Sequence, residues 1–236
     1  YSDDSRVVRS LRLGQYVINK SGTLTPKVQT LNAQVPVADL VEIYRRIVNE
    51  YYVETVSSGA GTNDQLIIDN RAYGPGVVGQ LTSSRFSVVS PATKIDYSEI
   101  EDLDLFLGVG ADTVAIVSTH RGTTDLDAGG GTDVINVKAI SGNTTINGGD
   151  QSDTINVGNK AQGDGDGDAN HNSGGTLNDI NGLLTLNGGD NTDTVNLDDT
   201  GETDVNSGTL TNATLDGFFG SGSMAYSGLE FLNINL

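Results

Sequence analysis

One short motif, a glycine cluster closed by aspartate, recurs along the chain. Its copies are Gly59-Ala-Gly-Thr-Asn-Asp64, Gly108-Val-Gly-Ala-Asp112, Gly129-Gly-Gly-Thr-Asp133, Gly148-Gly-Asp-Gln-Ser-Asp153 and Gly188-Gly-Asp-Asn-Thr-Asp193. An alternating apolar stretch follows each closing Asp, as in Thr154-Ile-Asn-Val157. Ahead of three copies sits a short strand-like run: Thr124-Asp-Leu-Asp127, Thr144-Thr-Ile-Asn147 and Leu184-Thr-Leu-Asn187. Asp112, Asp133, Asp153 and Asp193 are separated by 21, 20 and 40 residues, so the unit is about twenty residues with one double step. A unit that short cannot bury its own apolar face, but stacked on its neighbours it can. The predicted fold is all-β, a right-handed parallel β-solenoid (β-helix), its hand following the usual crossover preference. An antiparallel sandwich is the competing fold, and sandwiches do not repeat glycine corners at a fixed period. Composition agrees: 24 Asp, 24 Thr, 21 Asn and 31 Gly in 236 residues exclude a helical protein.

A longer repeat overlies the short one. Residues 58–107 and 187–236 align without a gap at an offset of 129, with 11 identities in 50 positions. They include Asp64/Asp193, Leu81-Thr82/Leu210-Thr211, Tyr97-Ser98/Tyr226-Ser227, Glu101/Glu230 and Leu103/Leu232. A weaker third copy starts at Ser21-Gly-Thr-Leu-Thr25, which recurs as Ser207-Gly-Thr-Leu-Thr211. The chain thus divides into 1–57, expected to be N-terminal solenoid turns or a cap, and 58–236, a Gly/Asp-rich solenoid with an acidic loop at 159–172. Within 36–53 the apolar residues at 40, 41, 43, 44, 47, 48 and 51 fit a helix face. The β-branched and Tyr content, and the echo of Val41-Glu-Ile43 in Ile100-Glu101, favour a strand. A short helix at 37–50 stays open beside it.

Charge narrows the function classes. Residues 1–94 carry 10 Lys+Arg against 8 Asp+Glu, a net of +2, and residues 95–236 carry 3 against 23, a net of −20. Such an acidic half repels nucleic acid and anionic membranes and attracts cations. No Cys is present, which removes disulfides, thiolate zinc sites and cysteine nucleophiles. No apolar run is long enough for a membrane span. The chain opens at Tyr1 rather than Met, the start expected of a processed or excised segment.

The Gly-Asp motifs resemble the Gly-Gly-x-Gly-x-Asp-x-U-x nonapeptide of RTX (hemolysin-type) repeats, with U a large apolar residue. Gly148, Gly149 and Asp153 match with Ile155 as U, and Gly188, Gly189 and Asp193 match with Val195. Gln151 and Asn191 replace the fourth-position glycine in these two copies. Gly129, Gly131 and Asp133 match with Ile135, and Gly108, Gly110 and Asp112 with Val114. The resemblance implies calcium held between successive turns by Gly carbonyls and Asp carboxylates. The metal candidates are therefore Asp112, Asp133, Asp150, Asp153, Asp190 and Asp193. The family's calcium rolls carry two such repeats per turn. One per twenty residues here leaves a file of sites on one edge only. The competing reading needs no ion: Gly, Asn and Asp supply left-handed corners, and Asp side chains cap turn amides.

Other candidate sites are weaker. Asp164-Gly-Asp-Gly-Asp168 begins like a helix-loop-helix calcium loop but has Ala169 and Gly175 where Gly and Glu are needed, so a solvated acidic loop is expected. Tyr97-Ser-Glu-Ile-Glu101 and Tyr226-Ser-Gly-Leu-Glu230 are a duplicated element, hence architecture, with a buried ring. His120 and His171 belong to no Ser/Asp arrangement.

The resulting expectation is a non-enzymatic extracellular or cell-surface structural or adhesive solenoid. It would be calcium-stabilised and would assemble head-to-tail as a homo-oligomeric filament or form part of a long rod. A surface polysaccharide is its candidate partner, and no nucleic acid is expected. The alternative is a polysaccharide lyase or epimerase on a β-helix. Arg121, Lys138 and Lys160 are thin cationic provision for an anionic sugar chain.

Overall fold

A computed structural model describes residues 64–89, 93–162 and 172–236 in full, and before them only the backbone of five strands. In chain order the strands are β1 (Val17–Ile18), β2 (Leu24–Thr25), β3 (Gln29–Leu31), β4 (Leu40–Tyr44), β5 (Tyr52–Ser57), β6 (Gln65–Asp69) and β7 (Val78–Thr82). Next come β8 (Arg85–Val88), β9 (Thr93–Ser98), β10 (Asp102–Phe106), β11 (Thr113–Ile116), β12 (Thr123–Asp127), β13 (Val134–Val137) and β14 (Thr144–Gly149). The last are β15 (Thr154–Val157), β16 (Leu183–Gly189), β17 (Thr194–Asp198), β18 (Thr209–Leu210), β19 (Thr214–Asp216), β20 (Ser223–Ser227) and β21 (Phe231–Asn235). Among the described residues there is no helix, and so none long and apolar enough to cross a membrane. The segment 36–53 contributes strand β4, and its residues 45–51 lie outside the described ones. So do 163–171, which hold the Asp164–Asp168 run and His171.

Beyond the small β1–β2 pair, the strands build two mixed sheets. One has nine strands in the order β18-β19-β20-β16-β14-β12-β10-β6-β4, the other ten in the order β21-β17-β15-β13-β11-β7-β8-β9-β5-β3. From β10 to β17 successive strands alternate between the sheets, and each pairs in parallel with the next strand of its own sheet. Thr124 pairs with Thr144 and Thr144 with Leu184, while Thr113 pairs with Val134, Val134 with Thr154 and Thr154 with Thr194. These steps of 21, 20 and 40 residues repeat the spacing of the motif aspartates.

The strands form because apolar and polar residues alternate, so one face of each can be buried. Pairing without slippage then aligns the apolar positions in columns: Leu105, Leu126, Ile146 and Leu186 in one sheet, Ile135, Ile155 and Val195 in the other. All of these are at most 1% exposed and belong to one continuous core.

The corners explain the glycines. Gly129, Gly149 and Gly189 have φ of 88, 103 and 106°, and a Cβ on Gly149 would lie 2.1 Å from the Gly129 carbonyl oxygen. Two residues on, Gly131, Gln151 and Asn191 are also left-handed, at 121, 77 and 84°. Asn tolerates this region and Gln does so poorly. Gln151→Gly is therefore expected to stabilise the fold by about 0.5–1 kcal/mol, net of the entropy of the freer glycine, as read from denaturant midpoints.

The long repeat has a structural counterpart in an antiparallel insertion. In the first copy Leu81 pairs with Phe86 and Phe86 with Ile95; in the second, Leu210 pairs with Leu215 and Leu215 with Met224. The Tyr97 and Tyr226 hydroxyls donate to the Thr82 and Thr211 carbonyls, and Glu99 and Gly228 share a left-handed corner at φ 57 and 62°. Yet β7–β9 lie in the ten-stranded sheet and β18–β20 in the nine-stranded one. The 129-residue repeat therefore exchanges the sheets. Each insertion gives one sheet two surplus strands, since three consecutive strands stand where the alternation places one, and the second offsets the first.

Candidate functional site

The motif aspartates form a buried file along one edge. Each corner directs its closing Asp inward, where one carboxylate oxygen accepts the backbone amide of the Asp one layer earlier. The Asp112 amide donates to Asp133 Oδ1 (2.6 Å), that of Asp133 to Asp153 Oδ1 (2.8 Å), and that of Asp153 to Asp193 Oδ1 (2.8 Å). At the ends, Asp112 Oδ1 accepts the Val77 amide at 2.6 Å, and Glu230 Oε2 accepts that of Asp193 at 2.7 Å. Glu101 does the same for Asp64 at 2.8 Å, so Glu101 and Glu230 are architecture, as their duplication implies.

The second oxygens differ. Asp112 Oδ2 accepts the Gly108 amide, whereas Oδ2 of Asp133, Asp153 and Asp193 is buried with no hydrogen-bond partner among the described residues. A Cβ on Gly148 would lie 2.3 Å from the Gly188 carbonyl oxygen and 2.6 Å from Asp153 Oδ2, which is why that corner carries glycine. Burial pushes the Asp133 carboxyl up to about 7 and those of Asp112 and Asp153 up to about 6, and it raises that of Asp193. The neighbouring charges raising them further are all acidic: Asp112 and Asp153 on Asp133, Asp193 on Asp153, Glu230 and Asp190 on Asp193.

Of the six metal candidates, the structure brings Asp112, Asp133, Asp153 and Asp193 into this file. Asp150 and Asp190 stand exposed on the corners above it. Among the described residues, the file is not one of the groups of acids whose oxygens converge within 4.8 Å. Each Oδ1 caps an amide, as corner chemistry requires, and the Oδ2 atoms of Asp133, Asp153 and Asp193 keep lone pairs that no described residue takes up.

Two further polar arrays were missed by motif reasoning. On the outer face of the nine-stranded sheet, Asp102 and Asp104 of β10 and Asp125 of β12 bring carboxylate oxygens within 4.8 Å of one another. Gln65 Nε2 donates to Asp102 and Asp104 at 2.9 and 2.6 Å. The Asp104 carboxyl is pushed up to about 6 by burial and then by Asp102 and Asp125. The signal was Asp-Leu-Asp at 102–104 and 125–127, since period-two spacing puts both acids on one face and the pairing sets Asp104 opposite Asp125.

The other array is a ladder of asparagines in the ten-stranded sheet. Asn156 Nδ2 donates to Asn136 Oδ1 (2.8 Å), Asn196 to Asn156 (2.9 Å) and Asn233 to Asn196 (2.8 Å). Its sequence trace is the Asn two residues after the first strand residue in β13, β15, β17 and β21. Asn156→Ala breaks two of these bonds at a buried position and is expected to cost about 2–3 kcal/mol of unfolding free energy, read by chemical denaturation.

His120 offers little chemistry. It is half-buried with its ring edge-on to Tyr97 at 6.2 Å, and burial holds its imidazole below the usual range. No protein-family model, curated protein or solved structure matches this chain.

Proposed function

We propose that the chain is an RTX-like, right-handed parallel β-solenoid with a turn of about twenty residues, acting as a non-enzymatic structural or adhesive module outside the cell or at its surface. The observation that supports this best is the repeated bonding between layers. The Asp file, the Asn ladder and the apolar columns all join one layer to the next, so the repeated residues are committed to stacking. A stack of this kind is a stiff, axially extendable element, and its acidic surface suits an extracellular setting rich in divalent cations.

Calcium is the proposed stabiliser, drawn by the unpaired Oδ2 atoms of Asp133, Asp153 and Asp193, and a surface polysaccharide is the proposed partner. Millimolar calcium is expected to raise the melting temperature, because a ligand of the folded state alone stabilises it by mass action. Asp153→Ala should remove much of that shift. An identical melt in calcium and in chelator discards the ion and leaves the carboxylates as amide caps. The structural role itself is tested by incubating the chain with uronate polymers and by imaging it. Intact polymer and an elongated particle are expected, and depolymerisation overturns the reading.

A further inference from the structure

The chain sorts its charges between the two outer faces of the stack. On the nine-stranded sheet, Asp102 and Asp104 of β10 and Asp125 and Asp127 of β12 share the face opposite the core. On the ten-stranded sheet, Ile135, Ile155 and Val195 point into the core, so the residues on either side of each point away from it. Pairing sets these in two columns across β11, β13, β15 and β17. One is Thr113, Val134, Thr154 and Thr194, and beside it runs Ala115, Asn136, Asn156 and Asn196. None of them is charged, although residues 95–236 carry a net of −20. Charge returns one column further on, at Lys138 and Asp198, and Asp198 is buried with Oδ2 on the Gly175 amide.

The two columns also carry unused hydrogen-bonding capacity. Thr113, Val134, Thr154 and Thr194 are partly exposed, and the three hydroxyls among them bond to no described residue. A primary amide offers two N–H donors and two acceptor lone pairs, and the ladder takes one of each at Asn156 and at the partly exposed Asn196. Methyl groups of Thr and Val stand beside these polar atoms, which suits a sugar ring, whose C–H faces are edged by hydroxyls. The set returns in each layer at a strand spacing of about 4.8 Å, so a repeating chain laid across the strands matches the array. A charged group pressed against an uncharged ligand loses hydration without gaining a partner, so an uncharged polymer is best received on an uncharged face. The net charge of −20 repels an anionic polymer.

We propose that the face formed by β11, β13, β15 and β17 binds a neutral polysaccharide laid along the stack, through the Thr113, Thr154 and Thr194 hydroxyls and the Asn196 amide. The proposal rests on the structural or adhesive reading and specifies its partner, an uncharged polymer, and the sheet that holds it. Successive layers then act as linked weak sites, so affinity rises with the length of the sugar chain.

The test is affinity electrophoresis of the 236-residue chain, in chelator, through gels containing soluble β-glucan, galactomannan or dextran, with alginate as the anionic comparator. Retardation by at least one neutral polymer and none by alginate is expected. Calorimetry with oligosaccharides cut from that polymer should show tighter binding of the longer ones. Thr154→Val combined with Thr194→Val keeps the β-branched shape and removes two hydroxyls. It should weaken binding by about tenfold, the loss of two hydrogen bonds, at an unchanged melting temperature. Thr145→Val combined with Thr185→Val makes the matching change on the nine-stranded sheet and should leave binding as it was. No retardation by any neutral polymer overturns the proposal. So do retardation by alginate alone, affinity independent of oligosaccharide length, or equal effects of the two double variants. In sedimentation, a dimer that Thr154→Asp disperses would assign the face to a second copy of the chain and overturn it likewise. An elongated particle that ignores neutral polymers defeats this face alone, whereas cleavage of a uronate polymer defeats the structural reading alone.

Discussion

Ile155→Asp is expected to unfold the central layers. Ile155 is 1% exposed and sits between Ile135 and Val195 in the inner column of the ten-stranded sheet. Aspartate there loses the apolar contacts of a full side chain and places a carboxylate in the core with no partner. The combined cost is about 5 kcal/mol or more, comparable to the whole stability of a typical domain. Because each layer is held mainly by its neighbours, loss of β15 removes the support of β13 and β17 together. Hydrogen exchange should show amides of β13, β15 and β17 exchanging at rates near those of an unfolded chain. Protection that stays as slow as in the parent protein would mean that the inward phase of β15 is misassigned.

The second large effect is on pH. In chelator, the protein is expected to be more stable at pH 5 than at pH 8. The carboxyls of Asp112, Asp133 and Asp153 lie at about 6 to 7 in the folded protein against an ordinary value of 3.8. The folded state therefore holds more protons than the unfolded one between pH ~4 and ~7. Stability is highest at the acid end of that window and is lost as pH rises through the folded values, to a plateau near pH 8. A tenfold change in a carboxyl's acidity on folding is worth about 1.4 kcal/mol. The three groups together give a change on the order of 3–6 kcal/mol once their mutual coupling and solvent screening are allowed for. Asp133→Asn keeps the acceptor for the Asp112 amide and removes the charge. It should raise stability at pH 8 by about 1–3 kcal/mol and reduce the proton uptake linked to folding by nearly one. Equal stability of the parent protein at pH 5 and pH 8 would show that the file carries its charge without cost.

Much of the architecture was legible in residue spacing. The Gly-Asp corners recur at steps of 21, 20 and 40 residues, and the parallel pairing of β11, β13, β15 and β17 keeps those steps. This works because a stacked fold repeats its local geometry: a left-handed corner admits few residue types, and a buried column needs an aliphatic residue at each return. The inward placement of Ile135, Ile146, Ile155, Leu186 and Val195 followed from alternation for the same reason. The strand at Leu40–Tyr44 was one of two conformations the apolar spacing allowed, since a short run of Val, Ile and Tyr suits either period.

The functional chemistry was legible only down to residue type. The sequence by itself determined that aspartates would return once per layer on one edge, because the motif carries its own corner. Tertiary structure alone decided what they do there. Whether a carboxylate faces solvent, an ion or a backbone amide depends on the layer stacked against it, and that layer turns Asp133, Asp153 and Asp193 inward onto amides while leaving Asp150 and Asp190 outside. The exchange of sheets between the two long repeats was equally hidden. Identical pairing within the hairpins β7–β8–β9 and β18–β19–β20 is set by local sequence, but the sheet each joins is set by the number of half-turns the chain completes between them.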